Sequence, residues 1–228
     1  MAQRLTDTFK KSLSIVSLRR LLPSNGLSYK RIRKSLRHLR NQPDYEFFQG
    51  EVKTLHALEQ TGQIDLFYYD EMGLSRQALV PYGWQPKGAS PAFIGATPSG
   101  NLTTMAFMSR DNRLRAFTCQ GAATAELVVA CFEDFAQSLT KPTIVILDNA
   151  SIHRSKAFLN RIPAWRKQNL LIQFIPPYCP ELNLIEILWK HIKYHWLRPQ
   201  DFLSADSLVQ ALTQILTSFG ENYRITFD

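Results

Sequence analysis

The sequence predicts an α/β domain: a mixed sheet with helices packed against it, preceded by a small basic helical segment. Three observations lead there. Two short runs, IDLFYYD over 64–70 and PTIVILDNA over 142–150, are nearly continuous in apolar and β-branched residues, as expected of strands buried on both faces. Two further stretches, NLTTMAFMS and LRAFTCQ, flank the turn Arg110-Asp111-Asn112 and read as an antiparallel meander. After them helical and strand-like patterns alternate, giving the order βββαβαβα.

The first element is basic. Residues 1–40 hold 11 of the 27 Lys and Arg residues and only Asp7 of the 19 acids, so the excess of positive charge lies in this fifth of the chain. Leu13, Ile15, Val16, Leu18, Leu21 and Leu22 recur at helical spacing, closed by Pro23 and the turn Ser24-Asn25-Gly26. A second helix from about Ser28 to Leu39 carries Lys30, Arg31, Arg33, Lys34 and Arg37. Two helices joined through a Gly-containing turn are the ingredients of part of a helix-turn-helix. Residues 1–42 are therefore expected to be a partial DNA-binding segment, with Arg19, Arg20, Lys30, Arg31, Arg33 and Lys34 as its phosphate contacts. A solvated helical face is the alternative.

Residues 43–62 read as a linker helix, and residues 63–228 as the folded domain. Strand 64–70 and the meander come first. A helix from about Thr124 to Leu139 leads into strand 142–150, a helix near 155–168, the strand LLIQFI, the proline-rich PPYCPELN and a last helix from about Leu184 to Leu197. The whole has the composition of a globular protein, with 228 residues, 45% of them hydrophobic and 20% charged, which excludes a disordered or collagen-like chain. Cys119, Cys131 and Cys179 are odd in number and never spaced as C-x-x-C, so neither a disulfide framework nor a zinc knuckle is indicated. No apolar run approaches the roughly 18–20 residues that would cross a bilayer, and no membrane partner is expected.

Three carboxylates stand out. Asp70 and Asp148 each follow one of the two apolar runs, and ligands of open α/β sheets gather outside the carboxyl ends of parallel strands. If those strands are neighbours, the two acids lie together; otherwise each simply caps the turn that follows it. Glu186 borders the stripe Ile185, Leu188, Trp189, Ile192 and Trp196 of the last helix and would project from the edge of its packed face. Asn183-x-x-Glu186 is equally a capping box, and both readings stand. Hard oxygen donors without clustered Cys or His suit Mg²⁺ or Mn²⁺ better than zinc at His153, His191 or His195.

The blocks YYDE, YGWQPKG, ILDNASIH and IPPYCPELNLIEILW, in that order, resemble the DDE transposases of the mariner superfamily, in particular its bacterial insertion-sequence branch. The resemblance covers roughly residues 65–196, and GLSYKRIR resembles the end of that family's helix-turn-helix region. It implies an RNase H-like five-stranded sheet, a catalytic and metal-binding triad at Asp70, Asp148 and Glu186, and the use of two Mg²⁺ or Mn²⁺ ions. The 37 residues between Asp148 and Glu186 fit the spacing so implied. Leu184 and Cys179 stand where the family usually has Pro and Ser; Glu71 and Glu181 are expected to support or to brace. Lys87 and Arg154 are expected at DNA phosphates. The implied activity is metal-dependent cleavage of double-stranded DNA at inverted repeats and joining to target DNA, by a homodimer when the ends are synapsed, in the bacterial cytoplasm at the nucleoid. A nuclease of the same fold, or an inactive DNA-binding remnant, is the alternative. The half-motif so close to Met1 reads as an N-terminally truncated frame.

Overall fold

The structure, a computed structural model, describes residues 14–28, 37–75 and 101–227 together with Asp7, Thr8, Lys10 and Gly88. The chain divides into two compact units, residues 1–36 and 37–228.

In the first unit, helix α1 spans Ile15–Ser24, and the Ser14 hydroxyl caps it by accepting the Ser17 N–H at 3.0 Å. Pro23 is accommodated in its last turn. Beyond it, Gly26 at φ +75° lets the chain reverse, so that the Leu27 and Gly26 N–H groups reach the carbonyls of Leu22 and Pro23. Arg19 and Arg20 are exposed on this helix. The expected second helix lies largely outside the described residues, and with it Lys30, Arg31, Arg33 and Lys34; Arg37–Leu39 is a single 3₁₀ turn.

The second unit is built on one five-stranded sheet. Its strands are β1 (Asp65–Leu74), β2 (Leu102–Met108), β3 (Leu114–Gln120), β4 (Thr143–Leu147) and β5 (Leu170–Phe174), in the spatial order β3-β2-β1-β4-β5. The meander is antiparallel, β1 with β2 and β2 with β3, while β4 and β5 add in parallel beside β1. Strand periodicity sorts the side chains onto two faces. Leu66, Tyr68 and Met72 of β1 join Ala106, Met108 and Ile146 on one face; Phe67 and Tyr69 join Met105, Phe107, Val145 and Leu147 on the other.

The first face is covered by helices α2 (Gln42–Gln60), α6 (Ile185–His191) and α7 (Ala205–Thr217). The second is covered by α3 (Ala125–Gln137), the short α4 (Lys156–Leu159) and α5 (Ile162–Lys167). The segment expected as a linker is α2, and Phe48 buries it into the first core, so it belongs to the folded unit. The single helix expected over 155–168 is two. Pro163 has no N–H to give to Leu159, so the helix stops there and restarts at Ile162. The helix expected to end at Leu197 is α6 followed by one π-helical turn, Ile192–Trp196. Helix α7 was not expected; its Leu208, Leu212 and Ile215 close the first core.

The three cysteines are free, and among the described residues no helix is long and apolar enough to cross a membrane.

Candidate active site

The site is placed by register. Asp65 to Tyr68 of β1 pair in parallel with Thr143 to Ile146 of β4, and the same register carried two residues further sets Asp70 beside Asp148. Both positions fall on the face of Tyr68 and Ile146, because side chains alternate along each strand. The strand expected to stop at Asp70 runs on to Leu74, paired there with β2 alone. Asp70 therefore stands where β4 has already left the sheet and β2 still holds the backbone.

Glu186 arrives from the first turn of α6, which Ile185, Leu188 and Trp189 press onto that same face. Asp70, Asp148 and Glu186 line one cleft of about 450 Å³, walled by the Pro176–Pro180 loop and by Asn149 and Asn183. The capping box is not formed. Leu184 occupies the N-cap position without a side-chain bond, and the Asn183 amide instead donates to the Tyr69 carbonyl at 2.9 Å, tying the entry of α6 to β1 one residue before Asp70. Tyr178 in the loop has φ +61°, and its ring is half exposed.

Each carboxylate has a distinct environment. Trp189 Nε1–H donates to Asp70 Oδ2 at 3.0 Å. Burial, and after it the charge of Glu186, raise the Asp70 pKa from 3.8 to about 7, and Glu71 and Asp148 add to the repulsion. Glu186 is likewise raised, by burial, against an opposing pull from Lys193. Asp148 is lowered. His153 donates Nδ1–H to its Oδ1 at 2.9 Å, and the Ala150 N–H reaches the same oxygen at 2.9 Å.

His153 is fully buried, with Nε2 2.9 Å from Glu71 Oε1. Burial opposes its charge, but the bonds to Asp148 and Glu71 prevail and raise its pKa to about 9, so both ring nitrogens carry protons to donate. His153 and Trp189, the side chains that bond Asp148 and Asp70, are the part of the site that sequence reasoning missed. One was considered only as a zinc ligand, and the other only as part of an apolar stripe.

The cationic positions are scattered. The Arg154 guanidinium is exposed and lies 4.4 Å over the Phe174 ring; Arg19 and Arg20 belong to the first unit; Lys87 lies outside the described residues. Glu181 braces the loop, paired with Arg40 at 2.8 Å and Arg37 at 3.4 Å. A larger hollow, about 900 Å³, opens by Asp65 at the other end of β1. Its Asp65 is already paired with Arg113 and Lys141, and the three acids have no part in it.

Among the described residues, no three Asp, Glu, His or Cys side chains are gathered closely enough to form a ready metal cage. The donor set nevertheless suits a hard divalent cation: three carboxylates share one cleft, and burial together with the charge of Glu186 holds the Asp70 pKa up near neutrality, a cost that a bound cation would offset.

Residues 65–209 match the family described as DDE superfamily endonuclease. The chain is 24% identical over 196 residues to the "Insertion element IS630 uncharacterized 39 kDa protein" of Shigella sonnei, a match covering 83% of this chain and 54% of that protein. It spans about half the length of the curated relatives it matches. Among solved structures, the Mos1 transposase paired-end complex with left transposon end superposes with a TM-score of 0.64 at 16% identity, over 95% of this chain and 66% of that one. The mariner Mos1 paired end complex with Mg gives 0.60 at 13% identity, over 96% and 67%. At such identities the likeness shows the fold, an RNase H-like sheet flanked by helices.

Proposed function

The chain belongs to the DDE superfamily endonuclease family, and from that premise we propose that it catalyses metal-dependent phosphoryl transfer on double-stranded DNA: cleavage at the ends of an insertion sequence and joining of the freed 3′-hydroxyl to target DNA. The observation that carries the reading is the meeting of Asp70, Asp148 and Glu186, from β1, the end of β4 and α6, on one cleft.

Asp70, Asp148 and Glu186 would hold two Mg²⁺ or Mn²⁺ ions, which supply an activated attacking oxygen and neutralise charge at phosphorus. The Mos1 complex with Mg supports that choice of ion. The chain's own residues do the positioning. Trp189 fixes Asp70, and Ala150 and His153 fix Asp148. The Pro176–Pro180 loop walls the cleft. Arg154, exposed one residue after His153, offers a cation to the phosphate backbone, as do Arg19 and Arg20 of the first unit. The Mos1 paired-end complex with a transposon end supports action on transposon ends; a homodimer of this chain when the ends are synapsed belongs to the same proposal.

The test is a supercoiled plasmid carrying the DNA that flanks the coding region, incubated with Mg²⁺ or Mn²⁺. The expected result is nicking followed by joined products, both lost in Asp148→Asn while DNA binding persists. Cleavage by Asp148→Asn in chelator would overturn the assignment; cleavage without joined products would make the protein a nuclease.

A further inference from the structure

We propose that His153 and Glu71 form a positioning relay that fixes Asp148 for cation binding. The inference rests on the metal-site reading above and extends it to two residues that line no part of the cleft.

The geometry is that of a buried bridge. Glu71 follows Asp70 directly, so strand alternation turns it to the opposite face of β1, away from the cleft. There His153 meets it at 2.9 Å through Nε2 and reaches back through Nδ1 to Asp148 Oδ1, also at 2.9 Å, with Asp148 O at 3.2 Å. The ring is 0% exposed and wedged beside Tyr69 and Phe158, with centroids 5.7 and 5.8 Å away. It therefore has little freedom to turn. Asp148, by contrast, has a side chain 44% exposed, and an exposed aspartate ordinarily samples several rotamers.

Two donors converging on Oδ1, the Ala150 N–H and His153 Nδ1–H, select one rotamer and leave Oδ2 outside these bonds. A turn-stabilising histidine needs only the bond to the Asp148 main chain. The bond to the carboxylate, together with an acid from a second strand that fixes the ring from behind, is the arrangement by which outer partners orient metal ligands.

The experiment measures Mn²⁺ binding to the full chain without DNA, following free Mn²⁺ by electron paramagnetic resonance, with circular dichroism to confirm folding. His153→Leu is expected to weaken binding about 10-fold or more. Glu71→Gln is expected to weaken it by less, and to add nothing in the His153→Leu background, because it acts through the ring. His153→Asn keeps a donor on the branch occupied by Nδ1 and should recover most of the affinity. A folded His153→Leu that binds Mn²⁺ like the wild type, beside an Asp148→Asn control that does not, overturns the relay and leaves the metal site standing. An Asp148→Asn that binds as tightly as wild type overturns the metal-site reading itself. If His153→Leu does not fold, Glu71→Gln carries the decision: unchanged affinity there overturns the relay.

Discussion

Asp70→Asn should stabilise the metal-free protein while destroying its activity, and the size of the gain should grow with pH. In the folded chain burial and the neighbouring Glu186 raise the Asp70 pKa from 3.8 to about 7. An acid whose folded pKa is raised favours the fold at pH values below its unfolded pKa, and that contribution is lost as pH rises through the folded value. At about 1.4 kcal/mol per pH unit, the raised pKa costs the fold about 4 kcal/mol at pH 8, where the folded carboxylate is ionised, and about 2 kcal/mol at pH 5, where folding takes up a proton. Asparagine keeps the shape and an oxygen that can accept the Trp189 N–H, but carries no charge. Chelator-treated wild type and variant would be unfolded in urea at both pH values, followed by the intrinsic tryptophan fluorescence, to which Trp165, Trp189 and Trp196 of the second unit contribute beside Trp84. The variant should gain about 2–3 kcal/mol more at pH 8 than at pH 5. An equal effect at the two pH values, or a loss at pH 8, would refute the electrostatic account. Asp148→Asn should do the reverse, because the bond from His153 holds the Asp148 pKa below its ordinary value; its folded charge favours stability above the unfolded pKa, and removing it should destabilise the chain near neutrality.

The remaining expectations concern the core, the tail and the basic arm. Phe132 is fully buried, with ring centroids 4.6–5.2 Å from those of Tyr69, Phe107, Phe158 and Trp165; Phe132→Ala should cost about 3–5 kcal/mol in chemical unfolding. Gly220 sits at φ +91°, and a Cβ there would stand 2.7 Å from the Asn112 carbonyl oxygen. Gly220→Ala should therefore cost about 2–4 kcal/mol and loosen the Ile225 tail that Asn112 holds, seen as faster amide exchange there. Deleting residues 1–40, which hold 11 basic residues and one acid, should weaken DNA binding and flatten the fall of log K with log salt, whose slope is about −0.9 per neutralised phosphate; an unchanged slope would place binding on the second unit.

The parts of the fold that were legible in the sequence are those in which a single residue pattern suffices. The apolar runs of β1 and β4 and the meander turn announced buried strands, and the parallel pairing of β1 with β4 follows once helix and strand alternate. Where tertiary context decides, the pattern misled. Nothing in the sequence marks β1 continuing past Asp70, because Glu71 and Gly73 are poor strand residues that β2 alone retains in the sheet. Asn183 and Glu186 have capping-box spacing, yet the Asn183 amide is spent on the Tyr69 carbonyl. The stripe Leu208, Leu212 and Ile215 was readable, but the expected order of elements ended before it. His153 could be suspected from its place in ILDNASIH. Its partner Glu71 could not, since the bond between them spans 82 positions of chain.

Adjacent carboxylates at Asp70 and Glu71 illustrate how a strand can divide labour between neighbours. Two acids side by side in a helix or loop would repel one another in one solvent pocket. In β1 the alternation sends them to opposite faces, where each meets a different donor: Trp189 from α6 for Asp70, His153 from the turn after β4 for Glu71. The acid on the cleft side is left electrostatically unsatisfied, its pKa raised by burial and Glu186; the one behind the sheet meets a buried imidazole with a pKa near 9. On the proposed function, a cation entering the cleft would meet the unsatisfied carboxylate rather than its neighbour in sequence. Exchanging the two environments would require a one-residue slip of β1, which would also turn Tyr68 and Tyr69 out of their respective cores. The strand's packing and the placement of Asp70 on the cleft are therefore fixed by the same register.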